Sequence, residues 1–142
     1  MHMVKVLFVC GENTCRSPMA GASATKTFGD RVSISTAGVA AYGQQATKDA
    51  VTLVQQRYGI DISMHVSRDV ATLADLTCYD YIIAMHPDIA TRLTAQWHVD
   101  HTKLIVWNID DPYLQGRAAY EACLDTIEES MLTLQDIINN QL

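Results

Sequence analysis

Apolar residues run almost unbroken from Val4 to Val9 and stop at Cys10. A continuous run of this length, rather than an alternating one, is what a parallel strand covered on both faces requires. Three more short runs predict strands at Val32–Thr36, Tyr79–Met85 and Lys103–Ile109. Between them, apolar positions recur at helical spacing. Ala20, Ala24 and Phe28 mark a helix over Ser17–Phe28, which Pro18 suits in its first turn. Thr47, Val51, Val54 and Tyr58 mark a second, with Gly59 as its stop. Ile89, Leu93 and Trp97 mark a third, opened by His86-Pro87-Asp88. Tyr120, Leu124, Ile127, Met131, Leu134 and Ile138 form the stripe of a long last helix from about Gly116 to Asn139 or Asn140. Asp61–Val70 has no clear period, and a short helical piece is predicted at Asp69–Leu76.

Strands alternating with helices predict an α/β fold: a single-domain, three-layer open sheet of four parallel strands with helices on both faces, spanning residues 1–142. In such sheets ligands bind outside the carboxyl ends of the strands. The first strand ends at Cys10 and the fourth at Asp110-Asp111, so both belong to one rim.

Charge narrows what that rim can hold. The chain carries a formal charge of −6, from 10 Lys and Arg against 16 Asp and Glu. Such a balance disfavours nucleic acid and anionic membrane surfaces as partners, so any anion site must be local. No apolar stretch reaches the length of a membrane span, and no targeting segment is recognisable. The cysteines are Cys10, Cys15, Cys78 and Cys123, without a C-x-x-C pair or zinc spacing, which predicts a cytoplasmic protein with reduced thiols and no metal.

The candidate chemistry lies between Cys10 and Arg16. Gly11, Glu12, Asn13, Thr14 and Cys15 are compressed between a strand end and a helix start. Successive backbone N–H groups in such a turn form a nest for an anion, and the helix terminus adds donors and partial positive charge. Arg16 supplies a planar two-pronged contact suited to phosphate oxygens. Asn13 tolerates a left-handed backbone and has an amide that can pin the loop from inside. A thiol at the floor of this nest shares a field that favours the reactive thiolate, and the Ser17 hydroxyl is placed to hydrogen-bond it. The expected chemistry is phosphoryl transfer through a phosphocysteine. It requires a proton donor, and Asp111, restrained by Pro112, is the candidate.

VKVLFVCGENTCRSPMA, residues 4–20, resembles the phosphate loop of the low-molecular-weight protein-tyrosine phosphatases. Ser35-Thr36-Ala37-Gly38, YDYIIAM at 79–85 and Asp111-Pro112-Tyr113 extend the resemblance over nearly the whole chain. It implies a four-stranded parallel sheet, no cofactor, and a phosphorylated protein as partner, with a tyrosine kinase or its targets as candidates. By position it implies Cys10 as nucleophile, Arg16 as phosphate clamp and Asp111 as general acid. Ser17 would stabilise the thiolate and Asn13 would order the loop. His65 matches a histidine that hydrogen-bonds the loop asparagine, or is a capping or surface residue. Cys15 matches a cysteine that forms a reversible disulfide with the nucleophile, or simply packs. Tyr42 and Tyr113 match aromatics of the substrate cleft, or are ordinary exposed tyrosines.

Three positions depart from the family pattern. Glu12 replaces a glycine, Gly11 replaces a larger residue, and Asp110 adds a second carboxylate beside Asp111. Thr14 stands where an aliphatic residue is common and resembles the branch that acts on phosphoarginine. The first expectation is hydrolysis of protein phosphotyrosine and other aryl phosphate monoesters. The alternatives are a protein-arginine phosphatase with the same mechanism and a non-catalytic phospho-binding module, which Glu12 favours. Arsenate reduction uses the same loop in a related family but needs two further cysteines close together, and Cys78 and Cys123 are far apart in sequence.

Overall fold

The computed structural model describes residues 3–141; residues 1, 2 and 142 of the expected domain lie outside the described residues. Strand β1 (Val4–Cys10) occupies the inside of a four-stranded parallel sheet. It pairs with β2 (Val32–Gly38) on one side and β3 (Tyr81–Ala84) on the other, and β4 (Leu104–Val106) closes the far edge in the order β2-β1-β3-β4. Helices α1 (Arg16–Phe28), α2 (Lys48–Tyr58) and α4 (Arg117–Asn139) pack together on one face, and α3 (Pro87–Trp97) lies against β3 and β4 on the other.

The unbroken apolar run of β1 follows from this placement. Val4, Val6, Phe8 and Cys10 enter the core beneath α1, α2 and α4, whereas Leu7 and Val9 enter the core beneath α3. Both faces are covered, so no polar alternation is required. The small residues of α1 let it sit close to the sheet. A Cβ added to Gly21 would lie 2.9 Å from the Thr36 methyl. The stripe of α4 is buried as expected, from Tyr120 through Ile138. Gly59 ends α2 in the left-handed conformation (φ 69°), and its N–H bonds the Gln55 carbonyl.

Four elements differ from the sequence reading, the second strand by running past Thr36 to Gly38, where it still pairs with Cys10. The third strand begins at Tyr81 rather than Tyr79, because the Asp80 carboxylate takes the Lys5 N–H at 2.8 Å in place of a ladder carbonyl. The fourth is only Leu104–Val106, although Trp107 and Ile109 still donate to Ala84 and Met85 at 2.8 and 2.9 Å and so lead the chain to the rim. The piece expected at Asp69–Leu76 is two separate 3-10 turns, Val70–Thr72 and Leu76–Cys78. Asp69 and Asp75 open them, each accepting from the N–H two residues on. Such local side-chain bonds compete with a continuous helix. Among the described residues, no helix is long and apolar enough to cross a membrane.

Ile127 is fully buried in the stripe that joins α4 to the sheet. Ile127→Ala is expected to destabilise the chain by about 2–5 kcal/mol, read as a lower urea midpoint with unchanged slope.

Candidate active site

The rim at the carboxyl end of β1 is built from carbonyls turned away from its centre. Cys10 O accepts from Val39 N at 3.0 Å, Gly11 O from Ala40 N at 2.8 Å, and Thr14 O from Thr47 N at 2.9 Å. The Asn13 carbonyl lies 2.7 Å from His65 Nε2. In a planar trans peptide the next N–H points opposite its carbonyl. The N–H groups of Gly11, Glu12, Thr14 and Cys15 are therefore directed to the inside of the loop, which gives an anion nest capped by the start of α1.

Asn13 sets this arrangement. It adopts a left-handed backbone (φ 61°) and is fully buried. Its amide Nδ2 donates to Ser17 Oγ at 2.7 Å, and its Oδ1 accepts the Arg68 N–H at 3.1 Å. Because Ser17 Oγ receives that bond, its own proton is free for Cys10 Sγ at 3.0 Å or the Ala37 carbonyl at 3.5 Å. Cys10 itself is 3% exposed and sits at the floor.

Gly38, the last residue of β2, lies directly behind the loop. A Cβ there would stand 2.5 Å from the Gly11 carbonyl oxygen and 2.9 Å from the Asn13 nitrogen. In the sequence Gly38 stands out only as the last residue of the matching tetrapeptide Ser35-Thr36-Ala37-Gly38. Its packing against the loop backbone is a tertiary contact that no local pattern announces.

On the opposite side, the chain leaving β4 supplies a carboxylate. Arg16 Nη1 donates to the Ile109 carbonyl at 2.9 Å, and Nη2 lies 4.0 Å from Asp111 Oδ2. Asp111 Oδ1 accepts from Tyr113 N at 3.1 Å and from the Cys15 thiol at 3.6 Å. Gln115 Nε2 donates to the Asp111 carbonyl at 2.9 Å. Together these elements enclose a pocket of about 150 Å³ lined by Cys10, Gly11, Glu12, Thr14, Cys15, Arg16, Asp111 and Tyr113.

The other candidates fall outside this wall. Asn13, Ser17 and His65 lie beneath the loop, the histidine reaching the Asn13 carbonyl rather than its side chain. Tyr42 is 77% exposed and does not line the pocket. Asp110 is exposed and lines the neighbouring cleft. Among the described residues, no hydrogen bond or ion pair engages the Glu12 side chain. Burial, reinforced by Asp111, pushes the Cys15 thiol far up, and burial pushes Cys123 up to about 12. Both remain thiols at neutral pH.

The strand, loop and helix that carry these residues extend into a match along almost the entire chain. The family model described as "Low molecular weight phosphotyrosine protein phosphatase" matches residues 5–142. The chain belongs to this family. It is a phosphatase, and its relatives show how far the fold has diversified. The crystal structure of a low molecular weight protein tyrosine phosphatase from T. tengcongensis is 30% identical, with TM-score 0.82, covering 98% of this chain and 99% of that one. The YwlE arginine phosphatase with a phosphorylated active-site serine is 26% identical, with TM-score 0.83 and 96% of each chain covered. An arsenate reductase of Bacillus licheniformis is 34% identical over 112 residues, covering 79% of this chain and 76% of its own.

The crowding behind the loop yields a test of how the phosphatase holds its nest. Gly38→Ala is expected to cost about 1–3 kcal/mol through overpacking against immobile backbone. It should also shrink the rise in melting temperature produced by inorganic phosphate, because the displaced segment is the nest itself. Differential scanning calorimetry with and without phosphate reads both effects.

Proposed function

We propose that this phosphatase hydrolyses phosphotyrosine in proteins through a phosphocysteine. The observation that carries this reading is the single small pocket that joins Cys10, the loop N–H groups, Arg16 and Asp111. The nest and the guanidinium bind the phosphoryl oxygens and hold phosphorus above Cys10 Sγ. The thiolate attacks phosphorus, and the phosphorus–oxygen bond to tyrosine breaks on the opposite side. Asp111 gives its proton to the departing phenolate oxygen. Ser17 donates to the sulfur and stabilises it as leaving group in the second step. The resulting Asp111 carboxylate then removes a proton from water as that water attacks the phosphocysteine, and inorganic phosphate leaves. The loop donors stabilise charge on the equatorial oxygens in both steps.

Thr14 supports a second reading with the same mechanism, hydrolysis of phosphoarginine. It lines the pocket with a hydroxyl where an aliphatic wall would suit a phenyl ring, and the YwlE relative is an arginine phosphatase. Glu12 on the same wall would also attract a cationic guanidinium. Arsenate reduction fits less well. Cys78 precedes β3, whose Tyr81 registers with Val6, so that thiol lies toward the opposite rim from Cys10. We assign the protein to the cytoplasm on its four free cysteines, with a phosphorylated protein as partner and a tyrosine kinase or its targets as candidates.

Cys10→Ser is expected to reduce phosphate release from an aryl phosphate to less than about one-thousandth of wild type, and turnover by this variant would overturn the covalent route. Asp111→Asn should lower kcat/KM by about 10²–10⁴ and leave affinity for inorganic phosphate within about threefold. Matched peptides carrying phosphotyrosine or phosphoarginine then assign the substrate. Faster turnover of the phosphotyrosine peptide is expected, and the reverse order assigns the enzyme to phosphoarginine.

A further inference from the structure

The carboxylate across the pocket is held to the phosphate loop by a thiol. Cys15 Sγ donates to Asp111 Oδ1 at 3.6 Å, and the Tyr113 N–H donates to the same oxygen at 3.1 Å. The second oxygen, Oδ2, takes no hydrogen bond among the described residues and lies 4.0 Å from Arg16 Nη2. A protonated carboxyl carries its hydrogen on the oxygen that is not already accepting donors. Two donors converge on Oδ1, so the acid form of Asp111 bears its proton on Oδ2. That oxygen is the one turned toward the arginine, and hence toward a bound phosphoryl group and its leaving atom.

We propose that Cys15 is a positioning residue for the general acid: its S–H, together with the Tyr113 N–H, fixes the Asp111 carboxyl so that the transferable proton sits on Oδ2 and faces the leaving group. The proposal rests on Asp111 being the acid of the phosphatase reaction. The side chain suits the task. Cys15 is 4% exposed, and its backbone is anchored where Met19 N bonds its carbonyl at 3.1 Å at the start of α1. Asp111, Cys10, Cys123 and Tyr120 surround it, and burial keeps it a thiol throughout the working range of the acid. A thiol is also a weak donor. It orients the carboxyl without holding back the charge change by which Asp111 turns from acid into base.

The test compares kcat/KM for two aryl phosphates, phenyl phosphate and dinitrophenyl phosphate. Phenol is a poor leaving group and needs the proton, whereas dinitrophenolate departs without it. Cys15→Ala is expected to lose about tenfold or more on phenyl phosphate and less than about threefold on dinitrophenyl phosphate, since a misplaced acid hurts only where a proton is needed. Cys15→Ser, which restores a donor of similar reach, should recover phenyl phosphate turnover to within about threefold of wild type. Combined with Asp111→Asn, Cys15→Ala should add no further selective loss. Equal losses on both substrates, no loss on either, or failure of serine to rescue a folded protein would overturn the role of Cys15. Circular dichroism and phosphate affinity establish folding, and Cys15→Val replaces Cys15→Ala if the smaller side chain unfolds the protein. The underlying reading fails separately. Asp111→Asn would then show no leaving-group selectivity, or the wild type would hydrolyse neither ester.

Discussion

One buried amide governs the geometry of this site. Asn13 stands in a left-handed backbone inside the loop, and its side chain reaches Ser17 in one direction and Arg68 in the other. An unsatisfied polar group at that depth would cost about 1–3 kcal/mol, so the loop cannot relax without losing its own partners. The turn at Asn13 reverses the peptide dipoles, and the carbonyls on either side are bonded outward. The nest for an anion is therefore paid for in the folded state, before any ligand arrives. Ser17, oriented by the same amide, is left with one proton for the Cys10 sulfur or the Ala37 carbonyl. A single residue thus links backbone conformation, the floor of the pocket and the environment of the proposed nucleophile.

Much of this was legible in the chain. The continuous apolar run of β1 announced a strand buried on both faces, and the helical stripes of α3 and α4 announced their contacts, whereas α2 buries Ala50, Leu53 and Val54, of which only Val54 belongs to the expected stripe. Cys10, Arg16 and Asp111 were recognisable because strand ends in a parallel sheet collect at one rim, and the structure brings the three to one pocket. What escaped was of two kinds. The two turns between Asp69 and Cys78 are governed by aspartate side chains that bond locally, which periodicity does not register. The closeness of Gly38 to the Gly11 carbonyl, and of Cys15 to Asp111, depends on chain segments that meet only after folding. Cys15 and Asp111 are 96 residues apart, and no spacing rule joins them. His65 bonds the loop asparagine as the resemblance implies, at its backbone carbonyl.

The pocket wall carries charge of both signs. Among the described residues, Arg16 is the one cation that lines the pocket, together with the carboxylates Glu12 and Asp111. Asp111 is held by the Tyr113 N–H and the Cys15 thiol, whereas no hydrogen bond or ion pair among the described residues engages the Glu12 side chain. The main contribution of Glu12 to anion binding comes through its backbone N–H, and its carboxylate acts on whatever surrounds the phosphoryl group. Substrates with positive charge near the phosphorylated atom lose less to this repulsion than acidic ones.

The sheet treats the two sides of the reaction unequally. Cys10 ends a strand that is buried along both faces, so the proposed nucleophile moves only if the core moves. Asp111 lies beyond the last strand with a side chain 55% exposed, on a segment that continues through an exposed Leu114 at φ 62° and Gly116 at φ 91° before α4 begins. That segment carries little of the packing that keeps the molecule folded. Changes there alter the depth and chemistry of the pocket at small cost to stability, whereas changes beneath Cys10 endanger the whole chain. A fold divided in this way concentrates its rigidity on the sulfur side of the pocket and leaves the carboxylate side adjustable.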